Sequence, residues 1–227
     1  MSLLLNIDTA IDTAHVSIAK DGHILHEAVN TDQRGHAAFL QPAIQSIFKN
    51  AGLSLHELDA IAIVAGPGSY TGLRVGMASA KGLCFALNKP LITIGTLQVM
   101  AWQAINQFTI NQIELPPLFC PMIDARRMEV FTAIYDRALN IALSASAMII
   151  EKKSFGNLLL KNKIIFFGNG AAKWQRLCDN ENALFFEPKS NGLYMSELAF
   201  KKYLTNDFSD TAYTEPMYIK EFYISPA

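Results

Sequence analysis

The feature that most constrains this chain is the run VAGPGSYTGLRVG at residues 64–76, where a strand-like stretch meets glycines and helical spacing begins. Residues 61–65, IAIVA, read as a buried strand. Gly66 and Gly68 flank Pro67, so the backbone turns sharply there at little steric cost. Leu73, Met77, Ala80, Leu83 and Leu87 then follow at the spacing of one helix face. Ser69 or Thr71 caps that helix, and its first N–H groups make a candidate anion site. Neither the Walker spacing nor GxGxxG is present, so an anion cradle and a plain tight turn stand level on these residues. Gly72, Gly76, Ser79 and Ala80 place small side chains about a turn apart, a face that lets another helix come close. Arg74 lies in the first turn, where a cation opposes the helix dipole. It reads either as an anchor for an acidic partner or phosphate, or as a solvent-facing side chain.

The flanking sequence gives this unit its setting. Residues 3–7, 16–20 and 24–29 are strand-like, and Asp21-Gly22 between the last two signals a hairpin. The first of these strands is expected to be central. Phe39, Leu40, Ala43, Ile44, Ile47, Phe48 and Ala51 recur at helical steps, with Pro42 inside and Gly52 as the stop. A strand at 91–94 and a helix at 96–107 complete the order βββαβαβα. The second half has a similar rhythm. Strands are expected at 118–124, 129–135, 144–150, 164–167 and 184–186, and helices at 154–160, 171–177 and 196–203. The reading is an α/β chain of two related lobes with mixed sheets and flanking helices, residues 1–107 and 108–227. A polar-to-proline stretch at 107–117 reads as the linker, and the aromatic tail at 214–227 as irregular.

Composition excludes several function classes. At 51% hydrophobic and 17% charged residues, the chain has material for real cores and lacks the signature of disorder. The formal net charge is −1 and no long Lys/Arg run occurs, so a link to nucleic acid is expected through a partner. The 3 cysteines, Cys84, Cys120 and Cys178, have no metal-ligand spacing and read as reduced thiols. The start carries no cationic signal-peptide region and no stretch is long enough to span a bilayer, so a cytoplasmic protein is expected. The 5 histidines, His15, His23, His26, His36 and His56, read as surface or capping residues. No spacing rule assembles a Ser–His–Asp or Cys–His constellation.

Residues 64–83, VAGPGSYTGLRVGMASAKGL, resemble the signature stretch of the TsaB (YeaZ) family. The same family pattern is recognisable in LNIDTA, in residues 36–40, in Lys89-Pro90-Leu91, and in Ile123-Asp124-Ala125-Arg126 with Glu129-Val130-Phe131. The match covers most of residues 1–136 and fades afterwards. The resemblance implies a duplicated actin-like (RNase H-like) fold shared with TsaD and, more distantly, with sugar kinases. It implies a role in forming threonylcarbamoyl-adenosine beside the tRNA anticodon. The expected partners are a TsaD-type transferase, a TsaE-type ATPase and a second copy of the chain, with tRNA reached only indirectly. The partner interface is expected on Gly72, Arg74, Gly76, Ser79, Ala80, Phe39 and Leu40.

TsaD-like proteins hold a metal through an HxxxH pair after the strand that corresponds to 91–94. Here that place reads Gly95-Thr96-Leu97-Gln98-Val99-Met100, without histidine. A non-catalytic subunit is therefore expected, with no catalytic or metal residues. In this fold two phosphate loops grip ATP, one from each lobe. Asp8 and Thr9 resemble the first, Asp124-Ala125-Arg126-Arg127 stands for the second, and Gly168 and Gly170 resemble the adenosine-side loop. Asp8, Thr9, Gly66, Gly68, Gly168 and Gly170 thus resemble a vestigial nucleotide or anion site for ATP or ADP, but the bulky side chains at 124–127 hinder approach to a phosphate, and no cofactor is expected. The alternatives are an ATP-binding kinase or ATPase of the same fold, or a metallo-glycoprotease-like enzyme.

Overall fold

The structure is a computed structural model that describes residues 1–32, 35–109 and 117–220. Most of the expected linker, and the last part of the expected irregular tail, lie outside these residues. The chain divides into two compact units. Unit 1 comprises Met1–Val99 and Ser190–Met217; unit 2 comprises Met100–Lys189 with residues 218–220.

In unit 1, strands β1 (Leu3–Asp8), β2 (Ala14–Lys20), β3 (His23–Asn30), β4 (Ala60–Gly66) and β5 (Leu91–Gly95) form one sheet in the order β3-β2-β1-β4-β5. β1 is central, as its apolar run predicts. It pairs antiparallel with β2 and parallel with β4. Helices α1 (His36–Ala51) and α2 (Tyr70–Leu87) cover one face. Leu5, Ile7, Val16, Ile18, Ile61 and Ile63 alternate along the strands beneath them and are fully buried. α1 ends where Gly52 takes a left-handed φ of 65°, and Leu53 N–H returns to the Phe48 carbonyl at 3.1 Å. Pro42 lies inside α1 on its exposed side. A 3₁₀ turn at Leu55–Glu57, closed by a Ser54/Glu57 capping box, is an element the periodicity did not reveal.

Unit 2 repeats the topology. β6 (Leu118–Asp124), β7 (Glu129–Tyr135), β8 (Ile141–Ile149), β9 (Ile164–Phe167) and β10 (Ala183–Phe185) form a sheet in the order β10-β9-β6-β7-β8. Its helices α4 (Gly156–Leu159) and α5 (Ala171–Gln175) are short, and aromatic side chains fill the space they leave. Phe155, Phe166 and Trp174 meet edge-on or tilted, and Phe185 stacks on Phe166 at 5.7 Å.

The observed division differs from a cut at 107/108. α3 (Thr96–Gln107) spans the boundary, and its residues Ala104 and Ile105 pack with Phe119, Ile165 and Phe167 on the second face of the unit 2 sheet. α6 (Leu193–Leu204), which follows the last strand of unit 2, belongs to unit 1. There its buried Ser196 hydroxyl accepts from Asn6 Nδ2 of β1 at 2.9 Å. Helical periodicity gives α6 an apolar face but does not say which sheet receives it.

Candidate functional site

The expected nucleotide site falls into two places, one in each unit. In unit 1, β1 ends at Asp8 and the chain runs against the start of α2. Ser69 N–H donates to the Ala10 carbonyl at 2.7 Å, and the Thr9 hydroxyl donates to the Gly72 carbonyl at 2.7 Å. Ser69 caps α2, its Oγ accepting from Gly72 N–H at 3.3 Å. A Cβ at Gly68 would overlap the Ala10 carbonyl, and one at Gly72 the Thr9 carbonyl. The glycines thus let two backbone segments touch. The Thr9 and Ala10 carbonyls lie against Gly72 of α2 and its cap residue Ser69. Gly66, with φ of 117°, abuts the Met217 carbonyl, while Met217 N–H donates to Ala65 O at 2.7 Å. Asp8 is buried, and that burial holds its carboxyl above the usual range against the Ala10 N–H bond and the charges of His15 and His36.

In unit 2, Gly168 and Gly170 do the same work at the end of β6. A Cβ at either would crowd the Met122–Ile123 backbone, and Gly170 N–H donates to Met122 O at 3.0 Å. Asn169 Oδ1 accepts from Asp124 N–H at 2.8 Å. Asp124 occupies the place in β6 that Asp8 has in β1, but it is half-exposed and bonded to Lys173 Nζ at 2.6 Å. Partial desolvation pushes its carboxyl up; the bonds from Lys173 and from Arg126 N–H outweigh this, and the net direction is down. Asp8, Thr9, Gly66 and Gly68 are therefore together in unit 1, and Gly168 and Gly170 lie beside Asp124 in unit 2.

The expected partner face needs correction. Gly72, Gly76 and Ala80 are buried, as is Leu40 on α1. A Cβ at Gly76 would crowd Thr9 Oγ1 and Ile63. The small residues let α2 settle on its own sheet rather than on a foreign helix, and Leu40 belongs to the core. Arg74 is exposed, with its guanidinium 4.0 Å from the Tyr70 ring centroid; Phe39 and Ser79 are half-buried. The outward stripe of α2 is instead Thr71, Arg74, Ala78, Gly82 and Phe85. Phe85 is 88% exposed, and a Cβ at Gly82 would meet open space. Phe85 could have been found from the sequence as an apolar residue off the Leu73–Met77–Ala80 face.

Two histidines are not surface residues. His36 is buried at the start of α1, its Nε2 2.9 Å from Ile11 O. His15 is buried on β2, between Glu27 of β3 at 2.8 Å and Ser190 at 2.9 Å. Ser190 is 175 residues away in sequence, so no spacing rule brings it to His15. Cys84 and Cys120 are buried, which pushes both thiols up to about 12; Cys178 is half-buried. Among the described residues no group of three or more His, Cys, Asp and Glu is placed to hold a metal. Nor is any of their helices long and apolar enough to cross a membrane.

The family model for TsaD, tRNA N6-adenosine threonylcarbamoyltransferase, matches residues 23–213. The tRNA threonylcarbamoyladenosine biosynthesis protein TsaB of Haemophilus influenzae is 30% identical over 96% of this chain and 93% of its own length. The chain belongs to the TsaB (YeaZ) family. The fold agrees: YeaZ from Pseudomonas aeruginosa superimposes with a TM-score of 0.78 at 24% identity, covering 96% of this chain and all of its own. An inorganic polyphosphate/ATP-glucomannokinase from Arthrobacter, at 11% identity, superimposes with a TM-score of 0.51 over 90% of this chain and all of its own. The two sheets of identical strand order are thus a duplicated actin-like fold. In this TsaB-family chain the Gly-rich signature of residues 66–76 is where β1, β4 and α2 close on one another.

Proposed function

We propose that this chain is a non-catalytic subunit in the formation of threonylcarbamoyl-adenosine on tRNA, and that it binds and supports a TsaD-type transferase. The observation that carries this reading is the near full-length similarity to a protein named for threonylcarbamoyladenosine biosynthesis. The close backbone packing at the α2 N-terminus, where the Ala10 carbonyl accepts from the Ser69 N–H and the Thr9 carbonyl lies against Gly72, supports a scaffold role over a phosphate-handling one. The first lobe carries the partner face. Its centre is Phe85, with Ala78 and Gly82 giving a smooth approach and Arg74 at the rim. Gln41 of α1, bonded to Ser79 of α2 at 2.9 Å, extends that surface onto α1. A second copy of the chain competes for the same stripe, a TsaE-type ATPase joins the assembly, and tRNA is reached through the transferase. With a formal net charge of −1, the chain supplies no general attraction for a polyanion. The assembly works in the cytoplasm.

The test is co-elution of the purified chain with a TsaD-type transferase, followed by tRNA modification with and without the chain. Co-elution that is lost in Phe85→Asp, with modification falling in parallel, is the expected result. Full modification in the absence of the chain would end this reading.

A further inference from the structure

Three side chains of unit 1 that lie outside the Gly-rich region form a connected polar line. Antiparallel pairing of β2 with β3 brings His15 and Glu27 to neighbouring positions, and Glu27 Oε1 lies 2.8 Å from His15 Nδ1. The segment that leads into α6 brings Ser190, whose Oγ lies 2.9 Å from His15 Nε2. His15 is the buried middle of the line: its side chain is 11% exposed, that of Glu27 is 28% exposed, and Ser190 is open to solvent. Gly192 makes the arrangement sterically feasible, because a Cβ there would overlap Glu27 Oε1.

Hydrogen-bond chemistry fixes the direction of this line. An ionised carboxylate only accepts, so the imidazole proton belongs on Nδ1. With the imidazole neutral, Nε2 presents its lone pair to the Ser190 O–H. Carboxylate, imidazole and hydroxyl in this order are the roles of orienter, general base and nucleophile. We propose that Ser190, His15 and Glu27 form an acyl-transfer site, with Ser190 as nucleophile, His15 as general base and Glu27 as the positioning residue.

Because Ser190 is exposed, the acyl donor reaches it from solvent. The substrate class that fits is a small activated ester, whose leaving group departs with little assistance. The Ser190 proton moves to His15 Nε2 as Oγ bonds to the acyl carbon. The ester C–O bond breaks, and His15 returns the proton to the departing alkoxide or phenoxide. Water then repeats the exchange: His15 takes its proton, the new C–O bond forms, the acyl–Oγ bond breaks, and Ser190 regains its hydrogen. The net reaction is ester plus water to acid plus alcohol. α6, a 12-residue helix, starts at Leu193, three residues beyond Ser190, and its N-terminal partial positive charge would favour an oxyanion formed beside it.

The site stands independently of the proposed tRNA role, and its test needs neither transferase nor tRNA. The full-length chain is treated with a fluorophosphonate probe, and the labelled peptide is found by mass spectrometry. Labelling at Ser190 is expected, with the rate falling about 100-fold or more in His15→Ala, the usual scale of general-base assistance. Gly192→Ala, which leaves Ser190 and His15 in place but displaces the Glu27 carboxylate, is expected to slow labelling as well. With p-nitrophenyl acetate, Glu27→Gln lowers kcat and leaves KM unchanged, which separates positioning from binding. An unlabelled Ser190 in the unaltered chain, or equal labelling in His15→Ala, would overturn the proposal.

Discussion

Units 1 and 2 have the same strand order and the same mixture of parallel and antiparallel pairs, yet they close their cores differently. Unit 1 lays helices of 16 and 18 residues on its sheet, and Gly72 and Gly76 let α2 sink until it meets the Thr9 carbonyl and the side chains of Thr9 and Ile63. In unit 2 the corresponding helices have 4 and 5 residues, and Phe155, Phe166, Trp174 and Phe185 fill the gap. One topology is thus satisfied by close backbone approach in one unit and by large side chains in the other. Core volume, rather than residue identity, is the shared requirement. The strand-end aspartates diverge in the same way: Asp8 is buried with its carboxyl raised, while Asp124 is ion-paired and lowered.

The largest effect should come from the aromatic core. Trp174→Ala empties the centre of the unit 2 cluster and is expected to cost about 3–5 kcal/mol in urea unfolding. If unit 2 tolerates it with little loss, aromatic volume is not what replaces the missing helix length. The counterpart in unit 1 is Gly72→Ala. A single methyl there meets the Thr9 carbonyl, which cannot rotate away, and should cost about 1–3 kcal/mol. Gly82→Ala, on the open side of the same helix, is the control: it should stabilise the free chain by about 1 kcal/mol, since alanine is the better helix former. A destabilising Gly82→Ala would mean that α2 has no open side.

The aspartates sharpen the comparison through pH. Asp8 holds its proton more tightly when folded than when unfolded, so stability falls as pH rises from the ordinary carboxylate value of about 4 through its raised folded value. Asp124 does the opposite, contributing stability above about pH 4 that is lost as pH falls through its lowered folded value. In chemical denaturation from pH 3 to 8, Asp8→Asn should flatten the decline on the rising side and Asp124→Asn the decline on the falling side. Equal profiles for the two variants would remove the distinction between the strand ends.

Much of this fold is legible in the sequence because strands and helices announce themselves by period. The Asp21-Gly22 hairpin, the central β1 and the α3 span of 96–107 all follow from local pattern. What is not legible is long-range choice. α6 carries a helical signal, but its membership of unit 1 depends on Asn6 and its neighbours, nearly two hundred residues upstream. The small-residue face of α2 predicts close approach, and close approach is found. Its recipient is the chain's own β1–β4 end rather than a partner, because one-turn spacing of glycine suits either neighbour equally. Phe85, the centre of the proposed interface, sits off that face and is visible only when buried and exposed sides of α2 are separated. The His15–Glu27 pair follows from strand register, whereas Ser190 reaches it through tertiary folding alone.

The central claim is that this chain acts as a partner surface centred on Phe85, and one comparison tests it most directly. Threonylcarbamoyl-adenosine formation is measured on tRNA with a TsaD-type transferase and either the unaltered chain or Phe85→Asp, at matched concentrations. Phe85 is 88% exposed, so the substitution should leave the unfolding midpoint of the free chain unchanged. The account predicts that it weakens the complex by about 30-fold or more, the scale of an interface hot spot, and that modification falls with it. Undiminished binding and modification with Phe85→Asp would contradict the account.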